Sequence, residues 1–409
     1  MNIALIAHFA GSPHHGMVYG HYFLAKEWIK LGHDITIIAS GYVHTRHSNP
    51  ELDNHLITEE YIDGIRYLWI KTPKYNPASN IGRALNILCF STLTRYVKLP
   101  LDHIDLVVSS SHHTLSIFAA LKLAQQFSAK LVYEVRDLWP MGLIELGEIS
   151  IHNPFIKLLQ YGEDLSYKNA DKVISLMPYA KEYMMQRGMA EEKFTYIPNG
   201  FDDTGEPAHD SPLPQFHQAA LDKFKRNNHF VVIYAGNFGN ANEISTLIES
   251  LTLCQNQKVA VILVGKGPYL LALNKLVCNK HLEHRVSILP PLSKALVLDL
   301  IKQADLGFIG LKDQTMFRFG ISPTKINDYF KARIPILYAI NYRDEAIESS
   351  GVIFQCQSGS PDSVAKKIDL ISSLPTAERK EIGDKGYQWA LLNRGYSQLA
   401  ARFIDVLKG

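Results

Sequence analysis

Short apolar runs alternate with longer stretches of helical period along most of the chain. In the first half the runs fall at 2–8, 34–39, 65–70, 105–109, 130–135, 172–176 and 194–197, and each predicts a buried strand. Between them, YGHYFLAKEWIKLG (19–32) has helical period and stops at Gly32, a residue suited to a C-cap. TLSIFAALKLAQQF (114–127) predicts another helix. Buried strands alternating with helices imply a parallel sheet with right-handed crossovers. The pattern breaks at DDTGEPAHDSPLPQFH (202–217), which is polar, holds three prolines and predicts a linker or long loop. It restarts with runs at 230–235, 259–264, 285–289, 305–309, 335–338 and 352–354. The predicted fold is α/β: two doubly wound, Rossmann-like domains in tandem, facing each other across a cleft. Ligands of such sheets sit at the carboxyl ends of the strands, where the strand order reverses.

Composition adds limits. The chain has 409 residues, 46% hydrophobic and 20% charged, the balance of a globular protein with a core. A net charge of +2 gives no argument for nucleic acid. Four cysteines (Cys89, Cys254, Cys278, Cys356) lack metal or disulfide spacing and predict reduced thiols and a cytoplasmic location. MNIALIAHF has no basic region or cleavage site, so it predicts a strand and not a secretion signal. No run reaches the roughly 18 apolar residues of a membrane span. One segment stands apart: residues 71–100 hold Lys71, Lys74, Arg83, Arg95 and Lys98 among many apolar residues, and no Asp or Glu. Such a segment either lies on an anionic membrane face or packs as a helix with a solvated basic side.

Candidate chemistry gathers at strand ends. AGSPHHGMVYG (10–20) follows the first strand, and its glycines let backbone approach a ligand, which makes Gly11, His14, His15 and Gly16 binding candidates. It is not the GxGxxG dinucleotide fingerprint, which disfavours NAD. SSSHHT (109–114) sets His112 and His113 at a strand end, suited to hydrogen bonding or proton transfer. RDLWP (136–140) offers Asp137 to orient or deprotonate a hydroxyl; a plain Arg136–Asp137 pair bracing the loop is the alternative.

In the second half YAGNFGNANEI (234–244) brings Gly236, Asn237 and Gly239 to a predicted helix start near Asn242, a phosphate cradle, with Glu243 in the first turn. VGKGPYL (264–270) repeats the theme with Lys266, and neither stretch is a P-loop. GISPTKINDYFKARIPIL (320–337) reads as turn, helix and buried strand, with Ser322 as N-cap, Pro323 at the first helical position, then Thr324 and Lys325. Arg318 and Lys325 beside a helix N-terminus suit a diphosphate, and Asp328 suits two ribose hydroxyls.

Taken in order, LAKEWIKLGHDITII (24–38), RDLWP, YIPNGFD (196–202), YAGNFGNANEI, VGKGP and SPTKINDYFKARIPIL resemble the retaining GT-B glycosyltransferases of family 4, in the WbuB-like branch that builds O-antigen or capsule repeats. The resemblance covers most of the chain. It implies an N-terminal acceptor domain (1–203), a C-terminal nucleotide-sugar domain (204–385) and a last helix crossing back to the first domain (386–409). It implies no metal and no cofactor, since basic side chains and a helix N-terminus neutralise the leaving diphosphate. The family histidine of the N-terminal domain maps to His112 or His113. The expected reaction is retaining transfer from a UDP-linked, N-acetylated or deoxy sugar to a polyprenyl-diphosphate saccharide, with 71–100 docking at the inner face of the cytoplasmic membrane. This chain departs from the pattern in two ways. Gly320 stands where a donor-site Glu is usual, with Asp328 in place of the second, and 236–242 lacks the usual Arg and Lys. Arg318 and Lys325 are expected to supply that charge. A nucleotide-sugar epimerase of the same fold and a non-catalytic partner subunit are the alternatives.

Overall fold

A computed structural model of the chain describes residues 1–16, 20–52, 54–77, 79–202, 212–342 and 345–407. It divides into two compact units: Met1–Gly200 with Arg318–Ser322 and Tyr396–Gly409, and Phe201–Phe317 with Pro323–Gly395. The predicted 203/204 boundary and most of the predicted 202–217 loop lie outside the described residues.

Unit 1 is built on eight strands: β1 (Asn2–Ile6), β2 (Asp34–Ser40), β3 (Ile57–Ile62), β4 (Ile65–Ile70), β5 (Leu106–Ser110), β6 (Lys130–Val135), β7 (Lys172–Ser175) and β8 (Phe194–Tyr196). Their order is β3-β4-β2-β1-β5-β6-β7-β8. All pairs are parallel except β3 with β4. The strand β3 falls on no apolar run of the sequence. Its signal was present: Asp63 and Gly64 both have positive φ (52° and 83°) and form the tight Asp-Gly turn that joins hairpin strands. The exposed Glu59 and Tyr61 of this edge strand dilute the apolar run that marks buried ones.

Both faces of the sheet are covered. On one side Trp28, from the helix Gly20–Lys30, packs edge-to-face with Phe403 at 5.0 Å and donates from Nε1 to Ala400 O at 3.1 Å. On the other, Phe90, Ile117, Leu123 and Tyr167 come from helices Asn80–Tyr96, Ile117–Phe127 and Pro154–Asn169. Removing a buried ring of the size of Trp28 costs about 3–5 kcal/mol.

Unit 2 is a six-stranded parallel sheet: β9 (Phe230–Asn237), β10 (Val259–Lys266), β11 (Val286–Leu289), β12 (Leu306–Gly310), β13 (Ile336–Ala339) and β14 (Ile353–Cys356). The order is β11-β10-β9-β12-β13-β14. The four central strands β10, β9, β12 and β13 are largely buried, so they read in the sequence as continuous apolar runs, while the edge strands β11 and β14 are half-buried. The helix expected near the C-terminus is two helices, Thr376–Arg394 in unit 2 and Tyr396–Asp405 in unit 1, because Gly395 between them has extended backbone.

Candidate active site

Each sheet reverses its strand order once near its centre, in unit 1 between β1 and β5 and in unit 2 between β9 and β12. Helices that leave neighbouring strands toward opposite faces open a crevice at that point. The chemistry-bearing side chains gather there in both units.

In unit 2 the loop after β9 holds Gly236, Asn237, Gly239 and a short 3-10 helix, Asn240–Asn242. The next helix starts at Ile244, later than expected. Glu243 is its cap residue, left-handed at φ 48°, with its carboxylate accepting from Thr246 Oγ1. Lys325 opens the helix Lys325–Ala332 and sends its ammonium to this loop. Nζ donates to Tyr234 Oη at 2.9 Å and to Asn242 Oδ1 at 3.3 Å, and lies 4.3 Å from the Tyr234 ring centroid. A Cβ on Gly236 would stand 3.3 Å from that ammonium. Burial pushes the Lys325 amine down to about 8, with the Asp328 carboxylate pulling the other way. From the end of β12, Lys312 donates its backbone N–H to Ala241 O and its ammonium to Asn240 Oδ1, tying the two central strand ends together. Lys266 is at the exposed end of β10, opposite Asn237 in the ladder. Asp328 is buried and paired with Lys294.

The expected cap of the Lys325 helix is corrected. The helix begins after Thr324, which makes no side-chain cap, and not at Ser322 and Pro323. The Ser322 hydroxyl is occupied in unit 1, where it accepts from the Asn199 N–H at 3.0 Å; the Ser322 carbonyl accepts from Asn199 Nδ2 at 2.7 Å. Arg318 also belongs to unit 1 and lies over the Phe319 ring at 4.7 Å, so Arg318 and Lys325 form no cation cluster within either unit. Gly320 has a physical reason to lack a side chain. Its φ is +93°, and a Cβ there would meet Pro178 Cδ at 2.5 Å.

In unit 1, His113 is buried behind β5 and meets His8, at the end of β1, with Nε2 2.8 Å from His8 Nδ1. His112 is partly exposed, and its ring lies 5.5 Å from that of His21 and 5.6 Å from that of Phe9. Burial, then the charges of Arg136 and His21, hold His112 well below the ordinary histidine range, against the pull of Glu134. Glu134 is buried within β6. Burial alone would raise it, but His21 Nε2 at 2.6 Å and the Arg136 guanidinium at 3.2 Å hold it ionised, well below the usual range. Arg136 also donates to Asn199 Oδ1 at 2.8 Å. Asp137 follows, exposed, in the bend after the carboxyl end of β6. Its carboxyl is pushed up to about 6 by the protein crowded around it, with Arg136 pulling it down, and the open face of the residue lets water screen that shift.

The first loop is mostly braced. Gly11 O accepts from Tyr67 Oη at 3.0 Å, and Ala10 O accepts from the buried Arg46 guanidinium. His15 is buried, 5.0 Å from the Trp69 ring, with Nδ1 2.8 Å from Ser12 Oγ. Gly16 is left-handed at φ +68°, and a Cβ there would meet His47 Cβ at 2.5 Å. Of these four candidates only His14 is an exposed side chain. The sequence reading missed His8, His21, Asn86, Glu134 and Asn199. A polar residue inside or at the end of an apolar strand run, as in NIALIAH and KLVYEV, was the available signal.

Residues 15–204 match the model of "Glycosyltransferase Family 4", and 218–389 that of "Glycosyl transferases group 1". Together they span most of the chain, which belongs to the GT-B glycosyltransferases that pair these two domains. A probable glycosyltransferase of Pseudomonas aeruginosa, WbjE, is 23% identical over 306 residues, covering 72% of this chain and 71% of its own. Solved structures with this fold include Alr3699/HepE of Anabaena in complex with UDP and glucose, at TM-score 0.67 and 16% identity, covering 100% of this chain and 99% of that one. Sucrose-phosphate synthase of Thermosynechococcus elongatus matches at TM-score 0.69 and 15% identity, over 100% and 98%. Among the described residues no group of three or more His, Cys, Asp or Glu is placed to hold a metal ion, and no helix is long and apolar enough to cross a membrane.

Proposed function

We propose that the protein is a retaining glycosyltransferase. It moves a sugar, N-acetylated or deoxy, from a UDP-linked donor to a polyprenyl-diphosphate saccharide in O-antigen or capsule synthesis. The observation that carries the reading is the Lys325 ammonium, delivered to the β9 loop at the strand-order reversal of unit 2. Negative charge grows on the departing diphosphate as the sugar–oxygen bond breaks, and a cation fixed there before reaction lowers the barrier. Asp328, three residues on, accepts from the ribose hydroxyls once Lys294 swings aside. No protein nucleophile is needed. The acceptor oxygen bonds to the anomeric carbon on the face the diphosphate leaves. Its proton passes to the leaving phosphate. No metal or cofactor enters this scheme.

Unit 1 supports the lipid side of the proposal. The helix Asn80–Tyr96 lies in the acid-free 71–100 segment and exposes Ile81, Leu85 and Tyr96, with Lys71, Lys74 and Lys98 exposed around it. The helix Pro154–Asn169, in the same apolar cluster, exposes Leu158 and Tyr161. An apolar face with basic neighbours suits the anionic inner leaflet of the cytoplasmic membrane, where a polyprenyl-linked acceptor resides.

The test is binding of UDP-, GDP- and dTDP-sugars by thermal shift, with Asp328→Ala beside the wild type. One nucleotide class is expected to raise the melting temperature, and Asp328→Ala to remove most of that rise. No shift with any donor overturns the donor site and favours a non-catalytic subunit. Turnover of the donor without any acceptor favours an epimerase.

A further inference from the structure

Positive charge is short at the crevice of unit 2. A terminal phosphate carries about −1.5 to −2 near neutral pH, and the inner phosphate of a nucleoside diphosphate adds to it. Lys325 supplies one positive charge at most, and Arg318 belongs to unit 1. A diphosphate that is to leave readily from unit 2 needs a second cation there.

Lys312 meets that need. It follows β12, the strand beside β9 across the reversal. The turn Asn240–Asn242 is held by two lysines. Lys325 reaches Asn242 Oδ1 from the helix Lys325–Ala332, and Lys312 reaches Asn240 Oδ1 from the end of β12. The backbone N–H of Lys312 donates to Ala241 O at 2.9 Å, which fixes its stem against the same turn. Lys312 is half-buried, whereas Lys266 at the end of β10 is exposed. Its ammonium is bonded to an amide oxygen, a neutral acceptor. Among the described residues no carboxylate forms an ion pair with it or with Lys325. The neighbouring carboxylates are engaged elsewhere: Asp313 accepts from Asn341 Nδ2 at 2.8 Å, and Glu243 accepts from Thr246 Oγ1. A cation drawn partly out of water without a counter-ion costs free energy that an anionic ligand recovers. The turn itself is open to such a ligand, since Asn237 and Asn240 are exposed and Gly236 and Gly239 half-buried.

We infer that Lys312 is a further catalytic residue, the second cation on the leaving diphosphate: Lys325 meets the inner phosphate, and Lys312 meets the terminal one, which carries the sugar. The inference rests on the transfer reading above. The assignment of the two ends follows from Asp328, the ribose contact in that reading. Lys325 shares a helix with Asp328 and feels its charge, which sets Lys325 at the nucleoside end. Lys312 comes from another strand end and takes the far phosphate. When the bond from the anomeric carbon to the phosphate oxygen breaks, the electron pair stays on that oxygen. Lys312, released from Asn240, stabilises the charge that grows there.

The test uses the full-length protein with Lys312→Met, which keeps the stem and drops the charge, and Lys312→Arg, which keeps the charge. Calorimetric titration is done with UDP and UMP, or with the GDP and GMP or dTDP and dTMP pair if that base gives the thermal shift. Lys312→Met is expected to bind the diphosphate about 10-fold more weakly and the monophosphate within about 2-fold of wild type. Its kcat for release of the diphosphate from the nucleotide sugar is expected to fall about 10- to 100-fold. Lys312→Arg is expected to keep most of both. Wild-type diphosphate affinity or wild-type kcat in Lys312→Met overturns the proposal. Equal weakening of diphosphate and monophosphate also overturns it, because a lysine that only braces the turn disturbs both alike. If the wild type binds no nucleotide, the transfer reading falls and takes the role of Lys312 with it. If wild type and Lys312→Met bind the diphosphate equally well, the transfer reading stands and this inference alone falls.

Discussion

The two strand-order reversals are alike in topology and opposite in chemistry. In unit 2 the crevice residues are glycines, asparagines and the Lys325 cation, arranged around a turn of backbone. In unit 1 they are His8, His113 and His112, all held toward the neutral form, with the Glu134 charge enclosed by His21 and Arg136. Position in an open sheet marks where a ligand goes, and the side chains decide which one. A cation on a backbone turn suits a diphosphate. Neutral donors and acceptors in a buried network suit sugar hydroxyls, which carry no charge to neutralise.

The largest effect that would break this contrast concerns Lys325. Calorimetric titration of the nucleotide sugar is expected to show affinity lower by about 10- to 100-fold in Lys325→Ala, the worth of one or two charge-assisted hydrogen bonds. Lys325→Arg should retain most of the affinity. Because the free amine lies at about 8, wild-type affinity should fall as the pH rises through 8, where the cation is lost, and the arginine protein should not follow. Unchanged affinity in the alanine protein would erase the distinction between the units.

The neutral character of unit 1 extends behind its sheet. Glu163 is buried and accepts from Gln160 Nε2 at 2.7 Å, Tyr183 Oη at 2.8 Å and Tyr167 Oη at 3.0 Å. Burial nevertheless raises its carboxyl to about 7, against those hydrogen bonds. The folded protein therefore holds this proton more tightly than the unfolded chain does. The associated stability is full below about pH 4.5 and is lost as the pH rises through 7. Glu163→Gln is expected to remove this loss, of order 2–3 kcal/mol, and to melt higher than wild type at pH 8. Equal melting temperatures at pH 8 would show that Glu163 ionises there without cost.

The smallest effect separates two adjacent histidines in the first loop. His15→Ala is expected to lose about 1–2 kcal/mol in denaturant melts, for its packing on Trp69 and its bond to Ser12. His14→Ala should stay within about 0.5 kcal/mol in stability. If acceptor turnover falls in His14→Ala alone, the exposed residue of the pair is the ligand contact.

Much of this architecture was legible beforehand. Among the described residues, thirteen of the fourteen strands coincide with apolar runs read from the sequence, since a strand covered on both faces must be apolar at successive positions. The edge strand β3 escaped because its alternate residues face water. The cap of the Lys325 helix was misplaced because Ser322 has cap chemistry, yet its hydroxyl is taken by Asn199, 123 residues away. No local rule reports such a competitor. Arg318 and Lys325 are seven positions apart, but belong to different units.

By itself the sequence determined the fold class, the alternation of strands and helices, and the loops where chemistry would fall, because hydrophobic period and turn residues act over a few positions. Only the tertiary structure decided which loops meet. Strand order set β1 beside β5, which brought His8 to His113 across 105 residues and Asn86 to His8 across 78. It likewise set the β9 loop within reach of Lys325, 83 residues beyond Asn242. Hydrogen bonds and charges act over a few ångströms, and the path of the chain between two residues leaves no local mark in either of them.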